Sequence, residues 1–186
     1  MQEMKRRFTD SWQELKSVQT LAITAMIIAV GIVLGFFTIP ITESQRVGFS
    51  SLANELIALM FGPIVGSISA GIGDVVKHFM KPMGPFFPGF TISALVAGLI
   101  YGGILYKRQI TLKRVFSANL SVTIVVNMFL NNIWLSMLYG SRTFWGHFLF
   151  RAPLQLVMVV IDTALFFILV QMLKKARVFA FMKSEK

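Results

Sequence analysis

The sequence predicts an all-α integral membrane protein, a six-transmembrane-helix bundle with both termini cytoplasmic. Three observations carry this. Val18–Ile39 and Val115–Tyr139 are uncharged for 22 and 25 residues, and a hydrocarbon core about 30 Å thick needs roughly 20 apolar residues per helix. Charged residues make up only 14% of the chain against 55% hydrophobic, whereas soluble domains carry about 25% charge. Placing the N-terminus inside puts 13 of the 18 Lys and Arg on the cytoplasmic side and leaves Arg46, Lys77, Lys81, Arg142 and Arg151 outside, the bias that sets topology in membranes.

In order, residues 1–17 read as a basic, amphipathic, cytoplasmic segment with Trp12 at headgroup level, and 18–173 as the six-helix bundle. Residues 174–186 read as a basic cytoplasmic tail, so that 1–186 is a single membrane domain. The first apolar run exceeds the 7–15 residues of a signal-peptide core, so it is read as a span rather than a cleaved leader. On that helix Ala22, Ala25 and Ala29 line one side, with Ala25 and Ala29 in a small-xxx-small pattern that permits close helix approach. Pro40–Gly48 reads as a polar loop. Phe49–Phe61 and Pro63–Phe79 read as two short helices meeting at a Gly62-Pro63 corner, because a Gly-Pro step ends one helix and starts another. Lys81–Gly89, with three prolines, reads as a stiff aromatic loop. Phe90–Tyr106, Val115–Tyr139 and Phe148–Leu173 complete the set, linked by a basic loop at 107–114 and a short loop at 140–147.

Several function classes are disfavoured. The chain has no cysteine and two separated histidines, so neither a disulfide frame nor a metal site is expected. The net charge of +10 is absorbed by topological anchoring, and no nucleic-acid partner is expected. No Gly-x4-Gly-Lys phosphate loop occurs, so the chain does not hydrolyse ATP itself. Ser50 and Ser67 lack a nucleophile-elbow setting, and no catalytic residues are assigned.

The chemistry-bearing residues gather at the outer end in this topology. Arg46, Lys77, His78, Lys81 and Arg151 supply cations; Asn54, Glu55, Asp74, Asn127, Asn131, Asn132 and Trp134 lie nearby. Phe49, Phe86, Phe87, Phe144 and Trp145 rim the same side. Ionisable groups at membrane depth are costly and mark functional sites, and interrupted helices point to binding sites. Aromatic faces, amides and surplus positive charge suit a flat, hydrogen-bonding anion, with Arg151 placed to fork onto a carboxylate. Blander readings stand beside these. Asp74, Lys77 and His78, at i,i+3 and i,i+4, neutralise one another, Arg151 snorkels to the headgroups, Asp162 is an internal polar clamp, and Asn119 is interhelical glue.

The runs G-F-S-S-L-A-N-E-L-I-A-L-M-F-G-P-I-V-G (48–66), G-I-G-D (71–74), P-F-F-P-G-F-T-I-S-A-L-V-A-G-L-I-Y-G (85–102) and N-N-I-W-L-S-M-L-Y-G (131–140) resemble the substrate-binding S component of energy-coupling factor (ECF) transporters, most of all its folate-specific member. The similarity spans about Ala22 to Asp162. Asn132 departs from it, standing where the pattern has Thr. The resemblance implies a multi-pass subunit of a prokaryotic cell membrane that binds folate or a reduced folate near its outer face and needs no cofactor. It also implies partners, an ECF transmembrane subunit and two ATPase subunits that hydrolyse ATP. Pocket roles carry over to Phe87, Pro88, Asn131, Trp134 and Arg151, and partner docking to Ala22, Ala25 and Ala29. An S component for another vitamin, an intramembrane enzyme and a structural membrane protein are the alternatives.

Overall fold

The computed structural model describes the backbone of residues 2–42, 45–81, 86–139 and 144–176, and side chains within 4–37, 49–81, 86–138 and 153–176. An amphipathic helix α1 (Gln2–Glu14) precedes the first long apolar helix, α2 (Val18–Phe36). Ser17 caps α2 by accepting from the Thr20 amide at 3.4 Å. The sequence expectation carried this helix to Ile39, but it ends at Phe36 and the chain turns into a hairpin. Strand β1 (Thr38–Thr42) pairs antiparallel with β2 (Gln45–Gly48), where a polar loop was expected. Pro40 disfavours helix for the residue before it, and the β-branched Thr38, Ile39, Ile41 and Thr42 favour extended backbone.

Helix α3 runs from Ser50 to Met80 and is broken once, at Gly62 (φ 91°, ψ −173°). A Cβ built on Gly66 would lie 2.7 Å from the Cβ of Ala58, yet residues eight apart in a straight helix are about 12 Å apart. The chain therefore reverses at Gly62-Pro63, as that dipeptide predicts, and the two halves, 50–61 and 63–80, pack face to face. Only glycine takes the positive φ there without strain. Helix α4 (Pro88–Leu105) starts with Pro in its first turn, where the missing N–H costs nothing. It lies so close to the second half of α3 that a Cβ on Gly98 would meet the Gly66 carbonyl and come within 2.7 Å of Ser67 Cα.

Helix α5 (Leu112–Val122) continues through a π-helical stretch (Thr123–Leu130) into α6 (Asn131–Tyr139). Helix α7 (Phe144–Lys175) starts within the expected 140–147 loop and includes Pro153. The main core lies between α3, α4, α5 and α7, around Ala58, Leu105, Val115, Ala118, Phe166 and Val170. Among the described residues five helices are long and apolar enough to cross a membrane. Their outward faces keep large apolar groups exposed, among them Val18 (80%) and Met26 (60%) on α2, as lipid contact requires. Ala22, Ala25 and Ala29 lie on this exposed side of α2. The opposite side buries Thr20, Thr24 and Gly31.

Candidate functional site

Two hollows meet at Asp74. The inner one, about 270 Å³, lies among α3, α4, α5 with its π-helical continuation, and α7; Asn54, Asp74, Asn127, Asn131 and Asp162 bring polar groups to a wall otherwise made by residues such as Phe90, Ala97 and Val126. The outer groove, about 290 Å³, runs between α2 and α3 and is bordered by Ser50, Asp74, Lys77, His78 and Lys81. Both volumes approach the lower end of small-molecule sites, about 300–1,000 Å³. A third cavity, about 350 Å³, opens at the opposite end of the bundle between α1, α2 and the α4–α5 turn. It is the largest of the three. We place the site at Asp74 because half-buried amides and carboxylates converge there and an aromatic pair adjoins it.

The polar groups are individually anchored. Asp74 Oδ2 accepts from Thr91 Oγ1 on α4 at 3.0 Å, and Lys77 Nζ donates to Ser50 Oγ at 2.7 Å across the two halves of α3. Among the described residues no salt bridge joins Asp74 to Lys77 or His78, although the Asp74 carboxylate acts electrostatically on Lys77 across the groove; the His78 ring sits 5.2 Å from that of Phe86. Asn131 Nδ2 donates to Asn127 Oδ1 at 3.3 Å, one turn away. Asn131 Oδ1 is buried with no hydrogen-bond partner among the described residues, on a residue that lines the cavity. Deeper, Tyr101 Oη donates to Asn119 Oδ1 (2.9 Å), and Asn119 Nδ2 donates to Thr163 Oγ1 (3.3 Å). Asn119 thus ties α4 to α5 to α7, the glue its sequence position suggested. Glu55 is 1% exposed beside Tyr101 and Asn119, behind the cavity wall rather than on it.

The aromatic part stands where α4 begins. Phe87 precedes Pro88, and its ring lies 5.8 Å from Trp134 and 6.1 Å from Phe90. Trp134 Nε1 donates to Ser93 Oγ at 3.0 Å, and Ser93 lines the cavity. A Cβ on Gly89 would sit 2.5 Å from both rings, so glycine lets the aromatic pair close over the backbone.

The predicted residues therefore separate. Asn54, Asp74 and Asn131 meet in the inner cavity, while Lys77, His78 and Lys81 border the groove. Phe87 and Trp134 flank the cavity as a ring pair, and Pro88 is exposed at the α4 start. Phe49, at the N-terminus of α3, packs on the hydrophobic core rather than on either hollow. Lys81 reaches the Phe36 carbonyl at 3.4 Å and lies 5.6 Å over its ring, a rim position. The side chains of Arg46, on β2, and Arg151, in the first turns of α7, lie outside the described residues, as do those of Phe144 and Trp145. Asn132 is buried and donates to the Met128 carbonyl at 2.7 Å, away from the cavity lining. Asp162, expected as an internal clamp, lines the cavity, as do Ser51, Ser93 and Thr123, which sequence reasoning missed. A carboxylate in mid-span was the available signal for Asp162; the hydroxyls carry none, since serine and threonine are common in membrane helices.

Comparison with known proteins places the chain in a family. Residues 19–180 match the family described as ECF transporter, substrate-specific component. The folate transporter FolT of Clostridium novyi (strain NT) is 36% identical over 127 residues, 68% of this chain and 74% of that protein. FolT of Leuconostoc mesenteroides subsp. mesenteroides is 36% identical over 126 residues, 67% and 68% of the two chains. Among solved structures, a crystal structure of FolT bound with folic acid superposes with a TM-score of 0.71 at 32% identity, covering 82% of this chain and 93% of that one. Since the match begins within the first long apolar helix and runs past the end of the last, and a solved relative is alike over 82% of this chain, the chain belongs to the substrate-specific components of ECF transporters, a family of multi-pass membrane proteins.

Proposed function

We propose that this subunit captures folate, or a reduced folate, at a site open to the outer side of a prokaryotic cell membrane and hands it to an ECF transmembrane subunit driven by two ATPases. The solved relative with folic acid bound, alike over 82% of this chain, is the observation that carries the reading. In this reading the break at Gly62 divides α3 into two of six spans. Both termini and the basic α4–α5 turn are then cytoplasmic, by the distribution of Lys and Arg. The subunit binds and releases; ATP hydrolysis belongs to its partners.

The site chemistry supports a folate. Its pteridine edge presents adjacent N–H donors, its rings are flat, and its tail ends in carboxylates. Asp74, steadied by Thr91, offers a carboxylate to such donors, and charge-assisted pairs of this kind are the strong ones. Asn54 and Asn131 add amide contacts, and the Phe87–Trp134 pair offers aromatic surface. Arg46, Lys77, His78, Lys81 and Arg151 supply positive charge toward the tail, with Pro88 at the entrance, while Phe49 packs on the core. Calorimetric titration of the purified subunit with folate tests this. Loss of a charge-assisted bond worth about 1.5–3 kcal/mol weakens binding roughly ten- to a hundred-fold, and Asp74→Asn should show that loss. A wild-type subunit that takes up no folate but binds another vitamin would reassign the substrate; one that binds none would remove the transport reading.

A further inference from the structure

The break in α3 leaves backbone groups without helical partners. The amides of the first turn after a break are orphan donors, and the carbonyl of Phe61 loses its acceptor role in the ladder. One side chain from another helix meets three of them. Ser11 of α1, fully buried, donates its hydroxyl to Phe61 O at 2.8 Å and accepts from the amides of Ile64 (3.0 Å) and Val65 (3.3 Å). It acts as an N-cap supplied from a distant helix, and it bonds both halves of α3 at once. Gly62 is matched to it: a Cβ there would lie 2.8 Å from Ser11 Cβ.

Helix α1 is itself held in place from the α4 end. Asp10 pairs with Lys107 at 2.7 Å, and Arg7 Nη1 reaches the Gly103 carbonyl at 3.4 Å. At the far ends of the two α3 halves stand Ser51 and Asn54 on one and Asp74 on the other, all three on the wall of the inner cavity. Asp74 lies 12 residues beyond Gly62, about 18 Å along a helix, so tilting one half by only about 3° at the corner moves Asp74 by about 1 Å.

We propose that α1 is a clamp on the binding site: Ser11 sets the angle between the halves of α3, and lifting α1 from the corner loosens the cavity at the opposite end of the bundle. Ser11 is thus a positioning residue for the ligand. The ligand part of this proposal rests on the folate reading; the clamp does not. Linkage requires reciprocity, so a ligand gripping both halves also tightens α1 on the corner.

The test uses the full chain in detergent. Exchange of the Ile64 and Val65 amides, followed by hydrogen–deuterium exchange, should speed by about tenfold or more in Ser11→Ala, as amides losing a buried acceptor do. In a Trp12→Phe/Trp145→Phe background Trp134 emission reads the site without any ligand, and Ser11→Ala should shift it. The folate off-rate should rise by a similar factor. Lys107→Ala loosens α1 from outside the corner and should move the same readouts by less, which covers a Ser11→Ala chain that does not fold. Unchanged exchange at 64 and 65 overturns the clamp. So does faster exchange with unmoved Trp134 emission, which reduces Ser11 to a local cap. A wild-type chain that binds no folate defeats the ligand reading alone, while exchange and emission still decide the clamp.

Discussion

Trp134 Nε1 donates to Ser93 Oγ at 3.0 Å, so an indole of α6 is fixed in orientation by a buried hydroxyl of α4. Ser93 is 3% exposed, and a buried donor that loses its acceptor costs about 1–3 kcal/mol. The bond keeps the indole edge on α4, with its ring tilted 48° to that of Phe87. Ser93→Ala should therefore weaken folate binding several-fold without unfolding the chain. Trp134→Phe should remove most of the ligand-induced change in tryptophan fluorescence. A full fluorescence response in Trp134→Phe would place the ligand away from this pair.

Gly98 and Gly103 on α4 differ by what a methyl group would meet. A Cβ on Gly98 runs into Gly66 and Ser67 backbone, which cannot yield, whereas nothing lies within 4 Å of one on Gly103. Overpacking costs about 1–3 kcal/mol, while an unhindered Gly→Ala in a helix gains roughly 0.5–1 kcal/mol. Gly98→Ala should lower the melting temperature of the purified subunit and Gly103→Ala should leave it unchanged or raise it. Equal effects at both positions would mean that α3 and α4 are not packed through their glycines.

What the sequence disclosed follows from where each feature keeps its information. The Gly62-Pro63 corner was legible because both residues act on their own backbone, and long uncharged runs announce spans through length alone. Asn54, Asp74 and Asn131 stood out as polar groups in apolar surroundings. Ser11 did not, because its partners lie 50 or more residues away and a serine in a charged amphipathic helix looks like surface. The β1–β2 hairpin was hidden because hydropathy counts Ile39 and Ile41 equally well in helix or strand. The π-helical stretch at 123–130, which brings Thr123 and Asn127 to the cavity, changes hydrogen-bond register without a compositional mark. Phe49 was assigned by proximity along the chain, and the packing sends it to the core, whereas Lys81 stays at the rim of the groove.

Tyr106, just beyond α4, has its hydroxyl pKa pushed up to about 12, by burial first and then by the carboxylates of Glu14 and Asp10. A tyrosine in the unfolded chain ionises near 10. The folded state thus holds its proton longer, and the stability this confers is complete below about pH 10 and lost as pH rises toward 12. Thermal stability in detergent should fall across that window, and the fall should be shallower in Tyr106→Phe. The same slope in both proteins would show that Tyr106 is not enclosed by α1 and its acidic residues.

Ala22, Ala25 and Ala29 form a stripe of small side chains on the exposed side of α2, while the side bearing Thr24 and Gly31 packs inward. A bulky residue on an inward seam would overpack the bundle, costing about 1–3 kcal/mol and disturbing the cavity with it. On the outward stripe it displaces only lipid in the isolated subunit. Small outward residues also let another helix approach closely, since membrane helices associate by packing rather than by hydrophobicity. Ala29→Trp should therefore leave the melting temperature and folate affinity of the purified subunit unchanged. It should abolish co-purification with the ECF transmembrane subunit and, with it, uptake in cells. Retained co-purification would move the docking face off this stripe, and joint loss of affinity and stability would assign Ala29 to internal packing.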